Sequence, residues 1–154
     1  MVADLAEHHE VDVLILTECE VPTHVMLEAL NLGDSPMFHE GTSSECTEIV
    51  IYTRFPSEFL QKKFDSARLT IRQLTLPGKD EILLAAVHHP SKLHWNDASQ
   101  TAECYELSSN IRRTEEEAGH RRTVLVAKAP HRFDKHLLRY IIAPILKLAP
   151  IDGH

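Results

Sequence analysis

The sequence predicts an α/β fold, and three observations carry that prediction. The stretch "VDVLILT", residues 11–17, is a near-continuous apolar, β-branched run, the mark of a strand covered on both faces. Segments of helical spacing alternate with further runs of this kind along the chain. The 154 residues, 43% of them hydrophobic, are enough for one domain with a real core.

Taken in order, residues 2–9 read as a short helix with Val2, Leu5 and Ala6 on its apolar side. The strand "VDVLILT" follows, and it ends on two carboxylates, Glu18 and Glu20. "VPTHVMLEALNLG" reads as a short helix stopped near Gly33, and "SPMFHEGTSSEC" as a polar loop. "EIVIYTRF" is the next strand, closed by Pro56. "RLTIRQLTL" sets Leu69 and Ile71 against Arg68, Thr70 and Arg72, and "PGKD" turns it into "EILLAAVHHP", so these two strands are expected to form a hairpin. "SKLHWNDASQ" leads into a helix capped at Asn96 or Asp97, with Cys104, Leu107, Ile111 and Ala118 at helical spacing and Gly119 at its end. "HRRTVLVA" then reads as another buried strand.

The last 28 residues differ in composition. Residues 127–154 carry five Lys or Arg and two Asp, a formal +3, whereas residues 1–126 carry eleven basic and 21 acidic side chains, a formal −10. "FDKHLLRYIIAPILKL" has Phe133, Leu137, Ile141 and Ile145 four apart, the spacing of an amphipathic helix bent or broken at Pro144.

Charge and cysteine content narrow the function. A net −7 disfavours non-specific binding to nucleic acid, although a local cationic patch or a bound metal can overcome it. Cys19, Cys46 and Cys104 are odd in number and far apart, as expected of reduced thiols in a cytoplasmic protein. The N-terminus lacks the pattern of a signal peptide, and "YIIAPILKLAPI" is too short to span a membrane. Eleven histidines show neither H-x-x-x-H nor Cys/His pairs, so a dedicated zinc site is not expected. Neither a Gly-rich phosphate loop nor a G-x-S-x-G elbow occurs.

The candidates for chemistry lie at strand ends. Open α/β sheets place ligand sites beyond the ends of their strands, and Glu18 occupies such a place as a ligand for a hard cation. From the residues alone, Glu18 and Glu20 read equally as solvated loop acids. His88 and His89 end their strand, and alternation sends them to opposite faces, so only one of them can share a site with Glu18. An imidazole there can protonate a leaving oxygen or stabilise a phosphoryl oxygen, but position alone favours a structural or merely exposed histidine. Arg54 closes "YTRFP" and reads as a surface arginine or a contact to substrate phosphate.

In that order, "VDVLILTECE", "EIVIYTRFP", "EILLAAVHHPSKLHW" and a helix feeding "RRTVLV" resemble the endonuclease/exonuclease/phosphatase superfamily over about residues 3–126. The resemblance implies a deoxyribonuclease-like, two-sheet α/β sandwich, present here in part, without its first strand and C-terminal half. It implies a metal-binding role for Glu18, a catalytic role for His88 and a phosphate contact for Arg54, with Thr53 in place of a serine and His89 in place of a leucine. The implied cofactor is Mg²⁺ or Mn²⁺, and the implied substrate is a phosphate ester of unassigned class. Two departures accompany the matches. No asparagine-bearing strand precedes residue 3, and the Gly-Asp-Phe-Asn signature is replaced by Ala127, Lys128, Ala129 and Pro130. Ser-Asp-His is also missing, with "IDGH" at 151–154 only a faint echo. The expectation is a partial domain over 1–126 and a divergent tail over 127–154, as a change of reading frame or gene decay near codon 126 would produce. Turnover is expected to be weak or absent, the alternative being a non-catalytic binding module or an unstable fragment that self-associates through uncovered strand edges.

Overall fold

The computed structural model describes residues 2–33, 37–41, 45–88 and 97–128, with the backbone alone for 97–100 and 128. His89, the 91–95 segment, Asn96, Ala129, Pro130, the spaced apolar residues of 133–145 and the 151–154 echo lie outside the described residues. The observed order is α1 (Val2–His8), β1 (Val13–Thr17), α2 (Thr23–Leu30), β2 (His39–Glu40), β3 (Ile49–Thr53), β4 (Leu60–Asp65), β5 (Leu69–Leu74), β6 (Ile82–His88), α3 (Asp97–Ala118) and β7 (Thr123–Lys128). The chain is therefore a mixed α/β protein with a three-stranded sheet, β1-β3-β2, and a four-stranded sheet, β4-β5-β6-β7.

Period-2 alternation builds four layers from these elements. Leu14 and Leu16 of β1 face Ala6 of α1 and Met26 of α2, while Val13 and Ile15 face the other way, toward Leu74, Leu84 and Ala86 of the second sheet. All five β1 residues are buried, which accounts for the unbroken apolar run. Its cause differs from the parallel α/β arrangement such runs suggest: β1 pairs antiparallel with β3, and double coverage comes from helices on one side and a second sheet on the other. On the far face of the second sheet, Leu69, Ile71, Leu83, Ala85 and Val87 pack against Leu107, Ile111 and Ala118 of α3.

The expected hairpin is present, with Leu69 opposite Val87 and Leu74 opposite Ile82. Its turn needs Gly78, whose φ of 68° lies in the left-handed region. The "polar" side of β5 is not a solvent face, however. Thr70 and Arg72 are 0% and 1% exposed, because that side meets the first sheet. α3 ends as expected at Gly119 (φ 73°), with the Gly119 N–H donating to the Glu116 carbonyl and the His120 N–H to the Glu115 carbonyl, a Schellman closure.

Several expectations are corrected. Leu5 and Cys104 are exposed, since α1 buries Ala6 and α3 meets the sheet through Leu107, Ile111 and Ala118. The loop after α2 contains β2, and β4 is a strand without a matching expectation. β7 is not buried: it closes its sheet among the described residues, and Leu125 is 50% exposed. Among the described residues, no helix is long and apolar enough to cross a membrane.

Candidate active site

Strand pairing determines which side chains meet. In β1 and β3, Thr17 pairs with Ile49 at one end and Val13 with Thr53 at the other. The residue just after β1, Glu18, therefore falls beside the residue just before β3, Glu48, and the Glu18 N–H donates to the Glu48 carbonyl at 3.0 Å. Glu18 has φ 52°, the left-handed region that non-glycine residues seldom occupy. That conformation ends the strand and turns the chain outward at the carboxylate.

The second sheet contributes the imidazole. His88 ends β6 on the same face as Leu84 and Ala86, the side toward the first sheet. Its Nε2 lies 3.1 Å from Glu18 Oε1, and its Nδ1 lies 3.8 Å from Glu48 Oε2. The ring is nearly buried (8% exposed), while the two carboxylates are half-exposed. An Nε2–H is thus in place to donate to Glu18, and a proton on Nδ1 would face Glu48 across an ion-pair distance. The β4–β5 turn completes the frame: the Glu48 N–H donates to the Ala67 carbonyl and the His88 N–H to the Arg68 carbonyl.

Of the residues the sequence singled out, the structure brings Glu18 and His88 together and leaves Arg54 elsewhere. The Arg54 N–H donates to the Asp12 carbonyl, and its guanidinium covers the Phe38 ring at 5.0 Å. It sits at the opposite end of the β1–β3 pair, about 20 Å from Glu18 along the strand. The antiparallel pairing is the physical reason, because it sends the two ends of β3 to opposite ends of β1. Glu20 is exposed in the loop beyond Glu18. Lys128 occupies the register position opposite His88 in the parallel β6–β7 pair, at this same end of the sheet.

Glu48 was missed from the sequence. The signal that finds it is its place immediately before "IVIYT", but this becomes informative only once that strand is known to run antiparallel to "VLILT". Cys46 is two residues away, and burial, with Asp65 adding to it, pushes its thiol up to about 11. It is therefore protonated at neutral pH and unsuited to nucleophilic chemistry.

The side chains here that could hold a metal are two carboxylates, those of Glu18 and Glu48. Magnesium is usually held by one or two carboxylates, with waters and substrate phosphate oxygens filling its remaining positions, and Glu18 and Glu48 supply two half-exposed carboxylates on one imidazole. Among the described residues, no group of three or more His, Cys, Asp or Glu side chains has the arrangement of a metal centre. No family model matches the chain, and no curated protein matches it.

Proposed function

We propose that this chain is a metal-dependent phosphoester hydrolase of the endonuclease/exonuclease/phosphatase type, with low turnover, built on part of a deoxyribonuclease-like sandwich. The observation that carries this reading is the 3.1 Å approach of His88 Nε2 to Glu18 Oε1, two groups that come from different sheets and follow apolar strands. Glu18, with Glu48 beside it, would hold Mg²⁺ or Mn²⁺. The bound ion would polarise the phosphoryl group and offset charge developing in the in-line transition state.

The chain's own residues divide the remaining work. His88 is placed to give a proton to the departing ester oxygen as a water oxygen bonds to phosphorus. Glu48, facing Nδ1, orients the ring and balances charge on it. Lys128, at the register position opposite His88, stands where the resembling motif has an acid that orients or activates the attacking water. Loss of one such positioned group typically costs about 10²–10³ in rate, hence the low turnover. A net charge of −7 favours small esters over long polyanions.

The purified full chain, assayed on a bis-aryl phosphodiester with Mg²⁺ or Mn²⁺, tests the reading. Expected are slow metal-dependent hydrolysis and its loss in Glu18→Ala. Metal-independent turnover, or turnover untouched by that substitution, would overturn it. The charge reversal at position 128 favours a second reading, a non-catalytic module on the same scaffold. A cooperative melt without any turnover would support that module, and the absence of a cooperative melt would point to an unstable fragment.

A further inference from the structure

Glu18 and Glu48 give the mouth of the site negative charge, which a phosphate group shares. The β4–β5 turn brings the backbone of a cationic residue, Arg68, beside His88. Ser66 holds that turn closed: its N–H donates to the Leu69 carbonyl at 2.8 Å, and its Oγ accepts from the Leu69 N–H at 3.1 Å and the Arg68 N–H at 3.4 Å. Two further bonds tie the turn to the site, from the Glu48 N–H to the Ala67 carbonyl (3.3 Å) and from the His88 N–H to the Arg68 carbonyl (2.8 Å). Carrying the β5–β6 register one residue beyond Leu69 and Val87 sets Arg68 opposite His88. Directly opposed residues have Cβ atoms about 5 Å apart.

The backbone of Arg68 is thus fixed against the site, whereas its side chain is 43% exposed. The guanidinium leans over the sheet end toward α3, with Nη1 3.7 Å from Glu103 Oε1. A long, half-solvated ion pair of this kind holds its partners weakly. A phosphate offers the guanidinium two parallel, charge-assisted hydrogen bonds in a geometry it matches. Rotation of the side chain would carry the guanidinium from Glu103 to a phosphate at the site.

We infer that Arg68 is the substrate-phosphate anchor of this site, kept on Glu103 until a phosphate group arrives. The inference rests on the hydrolase reading and adds to it the phosphate-binding group that Arg54, at the far end of β1, does not supply.

Titration of the full chain with inorganic phosphate in the presence of Mg²⁺, alongside the diester assay, tests it. Arg68→Ala should weaken phosphate binding about tenfold or more and raise KM by a similar factor with kcat little changed. Arg68→Lys should recover only part of the loss. Glu103→Gln should tighten phosphate several-fold by removing a competing carboxylate. Phosphate affinity and KM within twofold of the parent chain in Arg68→Ala, at an unchanged melting temperature, would overturn the inference. The two readings fail separately. Glu18-dependent turnover with KM indifferent to Arg68 removes the anchor and leaves the hydrolase. Arg68-dependent phosphate binding without turnover keeps the anchor and removes the hydrolase. No phosphate binding by the parent chain at millimolar concentration removes the anchor.

Discussion

Glu48 owes its place to strand pairing, and it shows how far single residues could be read. The nearness of Glu18 and His88 was legible because each stands at the end of an apolar strand. Glu48 was not, since its meaning depends on which strand it pairs with and in which direction. The same pairing that brings Glu48 beside Glu18 carries Arg54 to the other end of β1, a separation that likewise depends on strand direction. If Glu48 acts through the imidazole, Glu48→Gln should lower kcat about tenfold or more, leave KM alone and change the pH profile of kcat. Its carboxylate is half-exposed, so the melting temperature should hold. A fall in melting temperature with kcat and its pH profile intact would assign Glu48 to structure instead.

At the scale of elements, long periodic segments were readable and short charged ones were not. α3 shows its inward stripe at Leu107, Ile111 and Ala118 and its stop at Gly119. β4 hides itself: Gln61, Lys62 and Lys63 are all exposed and a register shift falls between Lys62 and Phe64, features that keep an edge strand from pairing with strangers. The return from α3 to β7 is fastened by Glu81, which accepts from Gln73, Thr75 (3.1 Å) and His120 Nε2 (3.0 Å), while Arg122 Nε donates to the Glu81 carbonyl at 2.8 Å. Burial pushes the Glu81 carboxyl up, but the bonds from His120, Thr75 and Gln73 outweigh it and leave it below its ordinary 4.5. A carboxyl held lower in the folded state stabilises the fold above the unfolded value and stops doing so as pH falls through the folded one. The parent chain should therefore lose melting temperature on acidification below about pH 4.5, and Glu81→Gln should show a shallower loss over that range. Parallel acid profiles for the two proteins would refute this.

For the molecule as a whole, the feature that most contradicts a sequence reading is the buried Arg72. Alternation put it on a polar face, yet that face lies between the two sheets. Its guanidinium reaches Asp65 Oδ1 at 2.7 Å and Oδ2 at 3.2 Å, and its Nε donates to the Gly41 carbonyl, 3.0 Å away, at the margin of the first sheet. Thr70 Oγ1 donates to the same Asp65 at 2.7 Å. A Cβ at Gly41 would come within 2.5 Å of Leu60 Cδ2, so the carbonyl and the bare α-carbon belong to one fitted junction. The side chains of Arg72 and Asp65 are 1% and 0% exposed. Asp65→Ala would strand a guanidinium in the interior and should cost about 3–5 kcal/mol in urea unfolding, whereas replacing both partners with apolar residues should cost far less. Equal losses in the two variants would show that packing, rather than the stranded charge, sets the penalty.

The parallel β6–β7 pair also has a bearing on how the molecule is made. Its partners, Leu83 with Thr123 through His88 with Lys128, are forty residues apart, and such distant contacts form late because a long loop must close first. During synthesis β6 lacks this neighbour until residue 128 has left the ribosome. The imidazole at its tip thus gains its neighbour on that side only once β7 has been made, however early the preceding helices form.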